Sequence, residues 1–219
     1  MDWPALALSF KLGGVTVLLL LPVALFAARW LAYRRFRGKA LIEALLAVPL
    51  VLPPTVVGYY LLVGLGGTSW IGQSVERLTG HPLVFNFSGL VIASLLVNIP
   101  FAVQPIQRAF ETIPHEVRDA AACCGMAFWR SLITVELPLA WPGVLTGIVL
   151  TFAHTLGEFG VVLMVGGSIP GETKTAAIAV YDKVQAFDLT AAGHMSLLLL
   201  LLSVAVLAMA SSWNRRFGR

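Results

Sequence analysis

The reactive side chains in this sequence are few, and their spacing limits what they can do. His154 and Glu158 stand four apart, so one helical face carries both, with Gly157 and Gly160 around them. Inside a membrane such a pair could relay a proton. At the wetted outer end of a span it is only an intrahelical partnership. Asn98, Gln104 and Gln107 are polar but neutral, suited to lining a path or to bonding between helices. Thr55 and Tyr59 add hydroxyls just after Pro53-Pro54. Cys123 and Cys124, the only two cysteines, are adjacent. Neighbours make a poor disulfide and, without nearby histidine spacing, no zinc site, so they read as small helix-packing residues. Gly38-Lys39 lacks the preceding glycine and the following Ser or Thr of a phosphate loop. No GxSxG, HExxH or CxxC pattern occurs. The expectation is a chain with no catalytic centre, metal or cofactor of its own, whose energy comes from a partner.

The elements that must position these residues are membrane spans. The chain is 58% hydrophobic and only 12% charged, where soluble domains carry roughly a quarter charged residues. Five uncharged windows are long enough to cross a bilayer: 12–28, 44–68, 82–107, 137–157 and 195–213. A sixth crossing at 178–192 is disfavoured by Asp182, Lys183 and Asp188. The first window has no basic segment before it and five basic residues after it, from Arg29 to Lys39, which is the reverse of a signal peptide. An external amino terminus puts eleven of the fifteen Lys and Arg residues on the cytoplasmic side, leaving Lys11, Arg77, Lys174 and Lys183 outside. The carboxyl terminus is then cytoplasmic. Basic residues gathered beside apolar runs favour lipid over nucleic acid as the partner of the net charge of +4. Prolines at 22, 49, 53, 54, 100, 105 and 142 predict kinked or broken spans around a lined pathway. Gly143 and Gly147 form a GxxxG, too common in membrane helices to establish dimerisation. Lys174–Gln185 reads as an amphipathic helix on the outer face. With no Lys or Arg inside any window, a crossing anion would meet only neutral donors such as Asn98, Thr55 and Tyr59, bind weakly, and be selected elsewhere.

Between the third and fourth windows lies a cytoplasmic insert, Asp119-Ala120-Ala121, three residues, Gly125, nine residues, Val135-Glu136-Leu137-Pro138. Alanines keep a helix slim enough for a partner's cleft. Gly125 permits a turn, and Pro138 suits the first turn of the fourth span. The stretch resembles the EAA loop of bacterial ABC importer permeases, Glu-Ala-Ala, three residues, Gly, nine residues, Ile-x-Leu-Pro, with Asp for Glu and Val for Ile. Pro49 to Tyr59 resembles the second-span signature of molybdate permease subunits. Leu156-Gly157-Glu158-Phe159-Gly160 with Ser168 to Thr175 resembles the end of their fourth span and the loop after it. Sulfate permeases share the Gly-Glu-aromatic-Gly part.

The resemblance covers roughly residues 6–210. It implies an all-α polytopic bundle of about five spans with the type I ABC importer permease fold, in a bacterial inner membrane. The coupling loop would run over 111–136, with Asp119, Ala120, Ala121, Gly125, Val135, Leu137 and Pro138 at the ATPase contact. Thr55, Tyr59, Asn98, Gln104, His154 and Glu158 are candidate pathway or gate residues. The implied partners are an ABC ATPase subunit that binds ATP and Mg, a periplasmic molybdate-binding protein, a second copy of this chain, and lipid. The reading is a molybdate importer subunit; sulfate or tungstate is the near alternative, and a proton-coupled secondary carrier using His154 and Glu158 the distant one.

Overall fold

Small residues let three long helices approach closely enough to form the core. In the computed structural model, which describes residues 1–217 and leaves the side chains of residues 210, 211 and 213–217 aside, α1 (Trp3–Tyr33), α5 (Phe87–Glu111) and α8 (Leu137–Gly157) are these helices. Ala24 and Ala28 of α1, Ala102 of α5 and Ala140 of α8 are buried with Leu20, Leu31, Val103, Ile106, Phe110 and Val144. A Cβ on Gly143 would run into Ala109 and the Pro105 carbonyl, and one on Gly147 would lie 3.0 Å from the Ala102 carbonyl. The GxxxG therefore seats α8 on α5 within one chain.

Four described helices are long and apolar enough to span a membrane, and a bent pair makes a fifth candidate. Their bounds correct the expected windows. The first helix runs over Trp3–Tyr33, 31 residues or roughly 46 Å, so Lys11 and Arg29 lie within its length rather than beyond it. The window 44–68 is not one straight span: α2 (Lys39–Val51) and α3 (Pro54–Leu65) meet at a 108° elbow. Two consecutive prolines remove two backbone donors and push the preceding residues out of helical geometry; Leu52 and Pro53 are extended, with ψ 139 and 136. The third span starts later than residue 82, at Phe87, where Asn86 Oδ1 accepts the Gly89 N–H at 2.9 Å. The fifth, α11 (Leu189–Phe217), begins six residues before the expected Met195, where Asp188 caps it by accepting the Ala191 N–H at 3.1 Å. The expected basic tail of Arg215, Arg216 and Arg219 lies outside the described side chains.

The remaining elements are α4 (Trp70–Thr79), α6 (His115–Cys123), α7 (Phe128–Ser131), a π turn (Leu132–Glu136), α9 (Gly160–Gly166) and α10 (Ala176–Gln185). The amphipathic stretch 174–185 is helical as expected, with Ile178 and Ala179 buried and Tyr181 and Val184 exposed. It ends on Phe187 at φ +58, where the Asp188 N–H donates to Lys183 O and the Phe187 N–H to Val184 O, both at 3.0 Å. One end of the bundle holds Asp2, Lys174 and Asp182; the other holds Tyr33, Lys39, Glu111 and α6.

Candidate functional site

Pro114 leads the chain into α6, and Ala121 turns inward while Asp119, Ala120, Ala122, Cys123 and Cys124 remain exposed. The helix stops on a left-handed residue: the Met126 N–H donates to Ala121 O at 3.1 Å and the Gly125 N–H to Ala122 O at 2.9 Å. Gly125 has φ +70, and a Cβ there would meet nothing within 4 Å. Glycine is needed for backbone conformation, not for space. Over residues 119–124 the result is a slim surface ridge of small side chains with the Asp119 carboxylate and two free thiols. Val135 and Leu137 are half-buried behind it.

From α6 the chain passes through α7 and the π turn into α8 as one helical run, Phe128–Gly157. Pro138 stands in the first turn of α8, as expected, but that turn continues a helix already under way from Phe128. A proline there cannot bond to the Thr134 carbonyl and clashes with it. The turn widens instead, the Leu137 N–H reaching back to Leu132 O. This widened turn faces Glu136 inward, where it is 1% exposed. Arg29 of α1 grips it with two bonds, Nε to Oε2 and Nη2 to Oε1, both 2.8 Å. Ser131 Oγ donates to Oε1 at 3.3 Å. The Arg29 guanidinium lies 4.5 Å from the Phe128 ring centre and 5.3 Å from that of Tyr33, and Arg118 of α6 stacks on Tyr33 at 3.6 Å. Sequence reasoning missed Glu136, which occupies the variable position of the loop pattern, and treated Arg29 only as a topology signal. A carboxylate at the very edge of an uncharged span needs a counter-ion, and that was the available signal.

The six candidate pathway residues divide. Thr55 and Tyr59 are exposed on α3, and Gln104 is exposed on α5. Gln104 lines a cavity of about 350 Å³ between α2 and α5 with Lys39, Glu43, Gln107, Arg108 and Glu111. There the Gln107 amide donates to Glu43 at 2.7 Å and to Glu111 at 2.9 Å, and Lys39 lies 3.7 and 3.8 Å from the same two carboxylates. Asn98 is fully buried, so it bonds between helices instead of lining an open path. Its amide donates to Ser94 O at 2.8 Å and Thr155 Oγ1 at 3.1 Å, and Ser94 Oγ accepts from Thr16 at 3.0 Å. Its carbonyl faces His154 Nδ1 at 3.1 Å, which makes that nitrogen the donor. His154 stacks on Phe101 at 4.0 Å, and its Nε2 lies 3.6 Å from Glu158. Glu158 Oε1 accepts the Val161 N–H at 3.0 Å, capping α9 where α8 has ended.

The two signature stretches, about a hundred residues apart in sequence, pack on each other. A Cβ on Gly160 would lie 2.8 Å from Pro54, and one on Gly58 would lie 2.8 Å from Met164 and 3.1 Å from Val161. Ser168 to Thr175 continues to the far end of the bundle, where Lys174 lies 2.9 Å from Asp182 and 3.7 Å from Asp2. The hydrogen bond to Asp182, outweighing partial burial, raises the Lys174 amine above its usual 10.5. A raised amine contributes fully below its ordinary value and loses that contribution only as pH rises through the folded one. This clasp keeps its positive charge throughout the physiological range.

A bundle of membrane-length helices, with one bent pair and with an exposed small-residue helix at one end, defines a polytopic membrane protein. Residues 21–219 match the family described as "Binding-protein-dependent transport system inner membrane component", and the chain belongs to that family. It is a multi-pass protein of the bacterial inner membrane. It is 46% identical over 216 residues to the "Molybdenum transport system permease protein ModB" of Azotobacter vinelandii, covering 99% of this chain and 95% of that one. The protein of the same description from Escherichia coli (strain K12) is 38% identical over 220 residues, covering 100% and 95%. The "Sulfate transport system permease protein CysT" of Escherichia coli (strain K12) is 30% identical over 191 residues, covering 87% and 69%. Among solved structures, a bacterial ABC transporter involved in the import of the acidic polysaccharide alginate matches with a TM-score of 0.78 at 15% identity, covering 99% of this chain and 79% of that one, which bears on the fold.

Proposed function

We propose that this chain is the membrane-spanning subunit of an ATP-driven molybdate importer. The observation that carries the cargo assignment is the end-to-end likeness to permeases described as molybdenum transporters, at 38–46% identity, against 30% over a shorter stretch for the sulfate permease.

The permease domain occupies about residues 6–210, with the amino terminus outside and the carboxyl terminus cytoplasmic. The clustering of Arg29, Lys39, Arg108 and Arg118 at the α6 end of the bundle supports that orientation. An ABC ATPase subunit, which binds ATP and Mg, docks on Asp119, Ala120, Ala121 and Gly125 and moves the π turn and α8. A periplasmic molybdate-binding protein delivers the tetrahedral dianion at the opposite end. A second copy of this chain completes the pathway against α2 and α3. The open faces of these helices, including Leu45, Val51, Tyr59 and Val63, support that placement.

The test is copurification from native membranes followed by reconstitution. Molybdate uptake should require ATP, the ATPase subunit and the binding protein together. Uptake driven by a proton gradient alone would overturn the importer reading, and preferential uptake of sulfate or tungstate would change the cargo while leaving the rest.

A further inference from the structure

We propose that Arg29 and Glu136 are positioning residues of transport: their ion pair is the joint that carries the displacement of α6 into α1 as well as α8. The inference rests on the ATP-driven reading above. Burying a carboxylate with a guanidinium is costly, and an apolar pair of the same volume commonly holds such a junction as well or better. Stability alone is therefore a weak reason for two charges in this place. What the charges add is direction. The two-pronged grip at 2.8 Å and 2.8 Å fixes both the separation and the relative rotation of α1 and the π turn, which a greasy contact leaves free to slide.

Glu136 is carried on the π turn Leu132–Glu136. A π turn holds one residue more than an α turn. If it relaxes, the residues on one side rotate by roughly 100° relative to the other, and Glu136 leaves Arg29. The second connection to α6 reaches the same spot by another path. Arg118 of α6 stacks on Tyr33 at 3.6 Å, and Tyr33 lies one turn along α1 from Arg29, whose guanidinium is 5.3 Å from the Tyr33 ring. Phe128, 4.5 Å from Arg29, closes the set from α7. Thus α6 meets α1 through Arg118 and Tyr33, meets α8 through α7 and the π turn, and both paths converge on Arg29.

The experiment uses the complete complex in vesicles and measures molybdate taken up and ATP hydrolysed in the same sample. The variants are Glu136→Gln, Arg29→Lys and the apolar double variant Arg29→Met/Glu136→Leu. Copurification of the ATPase subunit and the unfolding midpoint report assembly. The expected result is that the double variant assembles and hydrolyses ATP while its molybdate-to-ATP ratio falls about tenfold, with Arg29→Lys intermediate. A wild-type ratio in the double variant overturns the proposal, because the pair would then be replaceable packing. So does a series in which transport is lost only in those variants that also fail to assemble. Wild type measured alongside separates this from the function itself: if it takes up no molybdate with ATP, the importer reading fails, whereas intact wild-type uptake with unchanged variants removes only the joint.

Discussion

Gly125 and Phe187 stand at the same position of the same helix-ending motif, both at positive φ, +70 and +58. Glycine meets that backbone without strain, whereas an L side chain costs roughly 1–2 kcal/mol. Phe187 is also 89% exposed, with no compensating burial in the chain. Phe187→Gly should therefore raise the unfolding midpoint in detergent, by the equivalent of about 1 kcal/mol; a fall would mean the ring has a stabilising contact. Conversely, Gly125→Ala should fray the last turn of α6 and cut ATP-driven uptake several-fold while the chain still inserts. Gly125→Asn, which tolerates the left-handed region, should stay near wild type in the same assay. Equal, normal uptake by both would show that the conformation of this turn is immaterial. At the other end of α8, Glu158 caps α9 through one carboxyl oxygen. Glu158→Gln retains an acceptor and should preserve uptake, while Glu158→Ala should cost about 1 kcal/mol of stability. Loss of uptake in the Gln variant without loss of assembly would instead restore the proton relay with His154. The sequence placed His154 and Glu158 on one face correctly by spacing. It could not place Glu136, because its partner is 107 residues away and only the fold brings them together.

Among the helices, proline marked trouble without saying which kind. Pro22, Pro100, Pro105 and Pro142 lie inside unbroken helices, while Pro53-Pro54 produces the 108° elbow and Pro138 sits beside the π turn. Hydropathy counts apolar residues and is blind to direction, so 44–68 looked like one crossing. The α1, α5 and α8 core was legible only in part: the Gly143–Gly147 spacing marked a helix contact, and only the fold shows that α5 is what it meets. That interface yields a paired test. Gly143→Val must force Ala109 and the Pro105 carbonyl aside and should destabilise by about 1–3 kcal/mol. Gly14→Ala, with open space around its Cβ, should be neutral or stabilise α1 by up to roughly 1 kcal/mol. Thermal unfolding of the two variants in the same detergent decides it; an equal loss in both would mean that glycine serves α1 in another way.

For the whole molecule, the helical class and the polar insert between the third and fourth spans were readable from composition and spacing, because a membrane leaves a chain few ways to satisfy its backbone. Orientation can be tested with the protein as it stands. Cys123 and Cys124 are its only thiols, and both are exposed, at the last residue of α6 and the one after it. A membrane-impermeant maleimide should label inverted vesicles and leave intact spheroplasts unlabelled, and a docked ATPase subunit should protect the thiols. Labelling of intact cells would reverse the topology. The elbow has a further bearing, on how the chain is made. At 13 and 12 residues, α2 and α3 reach only about 20 and 18 Å, and neither crosses a hydrocarbon layer of roughly 30 Å by itself. The surface on which α3 seats, Val161 and Met164, is synthesised about a hundred residues later. The seating of α3 is therefore expected to await α9: a chain cut short before Gly160 lacks the surface against which Gly58 and Pro54 pack, and its α3 should be more open to protease than in the full chain.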